Sequence, residues 1–312
     1  MKQLFLSLFV VVCLVADTSV RAIIPGTGDP PLPESQLTNV STRAFVQTGD
    51  NVMIGGFIVQ GMQPKTVIIR ALGPELMPFG IPNPLVDPTL ELHNAMGALI
   101  ASNDNWVTTI IGGIITANQV AAIRASGYAS TNVMESAMIV SLPPGNYTAI
   151  ARGVNNMMGI GLVEVYDLSA STASSLRNIS TRSSVQTDQN VMIGGFIIQG
   201  TLAKRVVVRA LGPELSQYGV PDTLPDPTLE LHGPNGALIA SNDNWGTTII
   251  GGIITADQVA AIRASGYAPT DAAESAMIVS LPPGNYTAIV RAKTIIIGVA
   301  LVEVYDFDQG GP

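Results

Sequence analysis

Short runs of β-branched and aromatic residues, each closed by a turn, set the rhythm of the chain. In its first half they read VMIGGFIVQG, KTVIIRALG, TLELH, GALIAS, ESAMIVSL, NYTAIARG and GLVEVYDL. Within TLELH, Leu90 and Leu92 alternate with Glu91 and His93, the two-residue period of a strand with one buried face. Turn chemistry separates the runs: in the PPGN of residues 143–146, Pro144 presets the first turn position and Gly145 tolerates positive φ, and GPNG at 233–236 reads the same way. Seven or eight short strands in about 130 residues predict a β-sandwich, since two sheets can bury their apolar faces on each other. One stretch interrupts them. TANQVAAIRASG (residues 116–127) has Thr116 and Gln119 at capping-box spacing, Val120 and Ile123 on one face and Gly127 as a stop, which predicts a short helix covering one end or edge of the sandwich.

The pattern then repeats. Leu37 to Leu168 align with Leu176 to Phe307 at a constant offset of 139 without insertion, and 93 of the 132 pairs are identical. The expectation is an all-β chain of two tandem β-sandwich, jelly-roll-like domains, residues 37–168 and 176–307, each with one short helix. The bridge SASTASS (169–175) is small and polar, as a flexible linker should be, and a short tail (308–312) follows the second copy. A Pro-rich arm, residues 23–36, precedes the first copy and reads as extended, or as a strand donated to another subunit.

The N-terminus sets the expected compartment. Lys2 is followed by the apolar run LFLSLFVVVCLVA and then by Val20-Arg21-Ala22, the order of a secretory signal peptide (1–22) cut after Ala22. That run is too short to span a membrane comfortably, and Val12 before Cys13 argues against a lipoprotein. Such a cut removes the single cysteine, and with it thiol catalysis, disulfides and Cys-based zinc sites. The remaining chain carries 13 basic and 22 acidic residues, a charge of 13 − 22 = −9, which offers no footprint for nucleic acid or anionic lipid. With 47% hydrophobic and 12% charged residues, it reads as globular and turn-rich.

The strings NxSTRxxVQT, NVMIGGFI, VxxRALGPEL, DPTLELH, ASNDNW, ESAMIVSLPPGNYTAI and LVEVYD together resemble a family of secreted bacterial repeat modules of unknown function, found in large extracellular proteins. The stretch from DPTLELH through NDNW to LPPGNYTAI and VEVYD is also similar to bacterial pre-peptidase C-terminal domains. That second likeness implies β-sandwich modules appended to secreted peptidases and implicated in adhesion, substrate targeting and sometimes calcium binding.

Little in the chain points to catalysis. There is no GxSxG elbow, and the only imidazoles, His93 and His232, sit at the same place in TLELH, on the polar face beside a turn, rather than in a triad. The carboxylates shared by the copies (Glu75/Glu214, Asp87/Asp226, Glu91/Glu230, Asp104/Asp243, Glu135/Glu274, Glu164/Glu303 and Asp167/Asp306) show no spacing that pairs two across a cleft. Arg70 and Arg209, inside apolar strands, need a carboxylate partner, with Glu75, Asp87 or Glu164 available to Arg70. No resident cofactor is implied, but calcium is the most reasonable ion: Asn103, Asp104 and Asn105, with Asp87, could supply oxygen ligands, as could Asn242, Asp243 and Asn244 with Asp226 in the second copy. The competing reading makes ASNDNW a turn in which Asn and Asp bond their own backbone and Trp106 plugs the sandwich end. TTIIGGIIT (108–116 and 247–255) is expected to be buried, or, if exposed, to form a patch for subunit contact or adhesion. The copies differ most at GVNNMMGIG (153–161) against AKTIIIGVA (292–300), a loop whose second version reads more like continuous strand.

These features sum to a secreted, non-enzymatic structural or adhesive protein of the bacterial cell surface, matrix or an extracellular fibre. Its expected partners are itself, as a homo-oligomer or fibre, or surface and matrix polymers, with no nucleic acid and no transmembrane anchor. The alternative is a carbohydrate- or calcium-dependent binding module assisting a separate secreted enzyme.

Overall fold

The computed structural model describes residues 35–169, 174–187 and 190–307. The expected signal peptide, nearly all of the Pro-rich arm, residues 170–173 of the bridge and the tail lie outside the described residues. The first repeat forms β1 (Gln36–Val46), β2 (Met53–Gly61), β3 (Lys65–Leu72), β4 (Pro88–Asn94), β5 (Leu99–Asp104), helix α1 (Val120–Ala125), β6 (Ser136–Leu142), β7 (Gly145–Gly153) and β8 (Gly159–Asp167). The second forms β9 (Ser174–Val185), β10 (Met192–Gln199), β11 (Lys204–Leu211), β12 (Pro227–His232), β13 (Leu238–Asp243), α2 (Val259–Ala264), β14 (Ser275–Leu281), β15 (Gly284–Ala292) and β16 (Gly298–Asp306). The chain is all-β and sandwich-like, as its periodicity predicts.

In repeat 1 one antiparallel layer runs β6-β3-β8-β1 and the other β5-β4-β7-β2. Their facing residues alternate as the pleat requires. Val67, Ile69, Val140, Val163 and Val165 from one layer join Phe57, Leu90, Leu92 and Ala149 from the other in a single buried cluster. Repeat 2 is built in the same way from its own eight strands.

The repeats share sheets rather than merely following each other. β1 pairs with β8 of its own repeat and also antiparallel with β10 of the other, while β9 pairs with β16 and with β2. β1 and β9 themselves run parallel, with Leu37 opposite Leu176 and Phe45 opposite Ser184. Each of these pairs joins residues 139 apart, so a pseudo-twofold axis runs along the strands between β1 and β9. Thr42 and Thr181 meet there, Oγ1 to Oγ1, at 2.8 Å. This joint explains why β1, QLTNVSTRAFV, carries no clean apolar alternation. It is flanked by strands on both sides, and its buried Asn39, Ser41 and Thr42 lie in the seam between the repeats. The last residues of the bridge belong to the sheet: Ser174 opens β9, and its hydroxyl donates to the carbonyl of Gln63 at 2.6 Å.

The helix is shorter than 116–127 and capped differently. Gln119 makes no capping-box bond because its carboxamide reaches the open edge of β6, donating to the carbonyl of Ile139 and accepting from its N–H at 3.0 Å. The Asn118 side chain takes the Val120 N–H at 2.9 Å instead. α1 then lays Ile123 on the outer face of the sheet, against Ile68, Ala137, Tyr166 and Trp106. Edge protection and a second small core therefore come from one segment.

Candidate functional site

The ASNDNW corner knots four segments together. Asn103 is buried; its Nδ2 donates to the Thr108 carbonyl at 3.0 Å and its Oδ1 accepts the Ala137 N–H at 3.0 Å. Asn105 takes the left-handed backbone, φ 66°, that asparagine tolerates better than most residues, and its carbonyl accepts the Thr108 N–H. Trp106 is buried in the cluster under α1, donates Nε1–H to the Asn132 carbonyl at 2.9 Å and carries the Arg124 guanidinium 5.6 Å from its ring. Asn242, Asn244 and Trp245 repeat the arrangement, with φ 69° at Asn244. The carboxamides of Asn103 and Asn242 are thus spent on the turn.

Beneath the corner sits a buried carboxylate. The Glu135 side chain accepts the Gly73 N–H and the Glu75 N–H, both at 2.7 Å, and its carbonyl accepts the Trp106 N–H at 2.7 Å. Burial pushes its carboxyl, and that of its twin Glu274, up to about 7, against the pull of these backbone donors. Glu75 goes the other way: partial burial raises it, but hydrogen bonds from Ser130 and Thr131 outweigh that and hold it below the usual range. These carboxylates fix a short 3-10 turn at Pro74–Phe79 to the corner.

Of the expected oxygen ligands, Asn103 and Asn242 are committed, while the aspartates keep free capacity. Asp87 and Asp104 face each other closely enough that burial and the Asp104 charge together raise the Asp87 carboxyl. Each has an Oδ1 that is buried without a hydrogen-bond partner, as have Asp226 and Asp243 at the same positions of the other repeat. In repeat 2 the same two positions, Asp226 and Asp243, are bridged by Lys293, whose Nζ lies 3.3 Å from one carboxylate and 3.1 Å from the other. Val154 holds that place in repeat 1. Among the described residues no group of three or more His, Cys, Asp or Glu converges to hold a metal. A shallow groove of about 320 Å³ beside Lys293 is lined by two cations, but both are committed, Arg291 to Glu230 at 3.5 Å and Lys293 to the aspartates.

The remaining polar candidates are each held by a neighbour. His93 is held between the Gly97 carbonyl at 3.0 Å and Glu91 at 3.1 Å, and His232 repeats this with Gly236 and Glu230. Arg70 pairs with Glu164, the third of its proposed partners, and donates to the Tyr128 carbonyl at 2.9 Å. Burial opposes its charge, but Glu164 and Tyr166 hold the guanidinium above its ordinary value. Composition gave no hint that Lys65 and Lys204 are almost wholly buried, paired with Asp167 and Asp306.

The Ile-Gly segment departs from its expected burial. Only Ile115 is inside; Ile110, Ile111 and Ile114 are 40%, 64% and 44% exposed, and Ile249, Ile250 and Ile253 of repeat 2 are 40%, 65% and 43% exposed. The physical reason is a tight hairpin. Gly112 and Ile115 bridge, the Ile114 N–H bonds the Ile100 carbonyl at 2.9 Å, and Gly113 sits at φ 55° with that carbonyl only 2.0 Å from where a Cβ would be. The hairpin therefore clips onto β5 and throws its isoleucines outward. Because β5 and β13 terminate the long path of paired strands, one chain carries the same apolar knuckle at both ends. The divergent 293–297 loop is likewise open and not strand, with Ile295 90% exposed.

Compared with known protein families and with curated proteins, the chain matches none. Among solved structures it is weakly similar to a DUF4785 family protein from Legionella pneumophila subsp. pneumophila str. Philadelphia 1, at 8% identity and TM-score 0.26, covering 88% of this chain and 62% of that one. It is also weakly similar to the STIV MCP, a viral capsid protein, at 12% identity and TM-score 0.21, covering 88% and 97%. The chain thus spans less than two thirds of the Legionella protein.

Proposed function

We propose that the chain is a non-enzymatic structural or adhesive component outside a bacterial cell, and that it works by associating with copies of itself. The observation that carries this reading is the pair of identical isoleucine knuckles at the two ends of one fused sheet. A knuckle-to-knuckle contact is isologous, and a chain with two such contacts, related by its own pseudo-twofold axis, propagates into a line unless the geometry closes a ring. Six half-exposed isoleucines per contact contribute roughly 6–9 kcal/mol of apolar burial. Association costs of about 4–15 kcal/mol offset most of that, so assembly is weak in dilute solution and favoured at high local concentration. Negative-stain electron microscopy of the concentrated protein tests it. Filaments or closed rings support the reading, and dispersed single molecules at every concentration sink it.

A second reading, a calcium- or carbohydrate-dependent binding module, is favoured by one observation, the facing aspartates beside the NDNW corner.

A further inference from the structure

The strongest asymmetry between the two otherwise matched repeats lies at the aspartate pair. In repeat 2 Asp226 and Asp243 ligate a cation that the chain itself provides, the Lys293 ammonium, at 3.3 and 3.1 Å. Both carboxylates hold its proton on, lifting the Lys293 ammonium above its usual range. In repeat 1 the same aspartates, Asp87 and Asp104, are in place, and the backbone of the opposing loop is anchored at the same point: the Val154 N–H donates to the Asp87 carbonyl at 2.9 Å, as the Lys293 N–H does to that of Asp226 at 3.0 Å. Only the ammonium is missing. The residues that follow also change together. Thr294 and Ile295 become Asn155 and Asn156, two carboxamides on an exposed loop, with φ 53° and 61°. One repeat thus has two carboxylates and an internal cation, and the other has two carboxylates, no internal cation and additional oxygen donors next in sequence.

We propose that repeat 1 binds one divalent cation, calcium by its oxygen-only donor set, between Asp87 and Asp104, at the place that Lys293 fills in repeat 2. Two like charges brought together are costly unless a cation or a shared proton relieves them, and the second repeat, whose Asp226 and Asp243 keep the same unpartnered Oδ1 atoms, shows that a cation fits between the pair at their Oδ2 atoms. Oxygen ligands from carboxylates and asparagine carboxamides suit calcium rather than a transition metal. With only two carboxylates the affinity falls at the weak end of protein calcium sites, with Kd roughly 10⁻⁴ to 10⁻³ M, matched to an extracellular setting. Asn103 takes no part, because its carboxamide is committed to the Thr108 carbonyl and the Ala137 N–H.

The duplication supplies the test. Isothermal titration of the intact purified chain with calcium chloride is expected to give one site. Val154→Lys, which copies the natural residue of repeat 2 onto a half-exposed loop position, abolishes it, and Lys293→Val creates a second. Terbium luminescence sensitised by nearby Trp106 follows the same pattern without relying on heat, and is lost in Asp104→Asn. Two results overturn the proposal. One is no calcium or terbium binding by the unaltered chain, which leaves a proton shared by the aspartates as the relief of their repulsion. The other is binding that survives Val154→Lys unchanged. Neither outcome depends on whether the chain assembles.

Discussion

If β1 and β9 cross between the repeats as described, the two halves unfold together. Phe57 is the residue to perturb. It is 2% exposed on β2, opposite Tyr147 of its own repeat on one side and Ile179 of the other repeat on the other, with its ring 5.7 Å from that of Tyr147. Phe57→Ala removes a fully buried ring from a core the repeats share and costs about 4 kcal/mol, in the range for a large-to-small change at a rigid site. The chain offers a reporter for each half, because its two tryptophans, Trp106 and Trp245, fall one in each repeat. Urea unfolding is followed by fluorescence in chains carrying either Trp106→Phe or Trp245→Phe, each with and without Phe57→Ala. With a denaturant slope of about 3 kcal/mol per M, the midpoint falls by about 1.3 M. The Trp245 reporter, in the unaltered repeat, moves as far as the Trp106 reporter. A Trp245 transition that stays put while the Trp106 transition shifts would falsify the fused fold and restore two independent domains on a linker.

Other consequences follow from single side chains. Glu135 and Glu274 have folded-state pKa values raised to about 7, so between the unfolded value near 4.5 and 7 the folded chain holds protons that the unfolded chain has released. Their contribution is complete below pH 4.5 and is lost as pH rises through 7, by roughly 3 kcal/mol per site, visible as a falling urea midpoint from pH 5 to pH 8 that flattens in Glu135→Gln/Glu274→Gln. Asn103→Ala leaves the Ala137 N–H buried without its acceptor and lowers stability by about 2 kcal/mol in urea melts, while calcium titration is unchanged. Arg70→Met strands the Glu164 carboxylate in the core and costs about 3 kcal/mol, with thermal melts restored in part by adding Glu164→Gln.

The fold class was legible because each strand within a repeat buries one face, so the two-residue alternation of TLELH or MIGGFIVQG survives in the sequence. β1 was illegible for the opposite reason. It lies between strands of both repeats, and its Asn39, Ser41 and Thr42 pack in a polar seam that resembles a loop in composition. The identity of the repeats also concealed their fusion, since nothing in a 139-residue period distinguishes beads on a string from a pseudo-dimer with crossed strands. At the corner, the types of residue in NDNW allowed both calcium and turn, and the Ala137 N–H donated to the buried Asn103 carboxamide assigns that one residue to the turn. Lys293 carried the missing signal: alone among the three lysines after residue 22 it has no counterpart in the other repeat, where residue 154 is valine. The exposure of Ile111 and Ile114 was hidden because a Gly-Gly pair between isoleucines reads as core unless the close approach of Gly113 to the Ile100 carbonyl is known.

Sedimentation equilibrium of chains with one knuckle altered tests most directly the claim that the molecule is a bivalent self-associating unit. Ile111→Asp places a charge in the centre of the repeat-1 patch, at a residue 64% exposed, and leaves the fold and the repeat-2 patch intact. The unaltered chain forms a concentration-dependent series of species, the single variant stops at a dimer through its remaining knuckle, and Ile111→Asp/Ile250→Asp is a monomer throughout. A double variant that assembles as the unaltered chain does, or an unaltered chain that never leaves the monomer, contradicts the account.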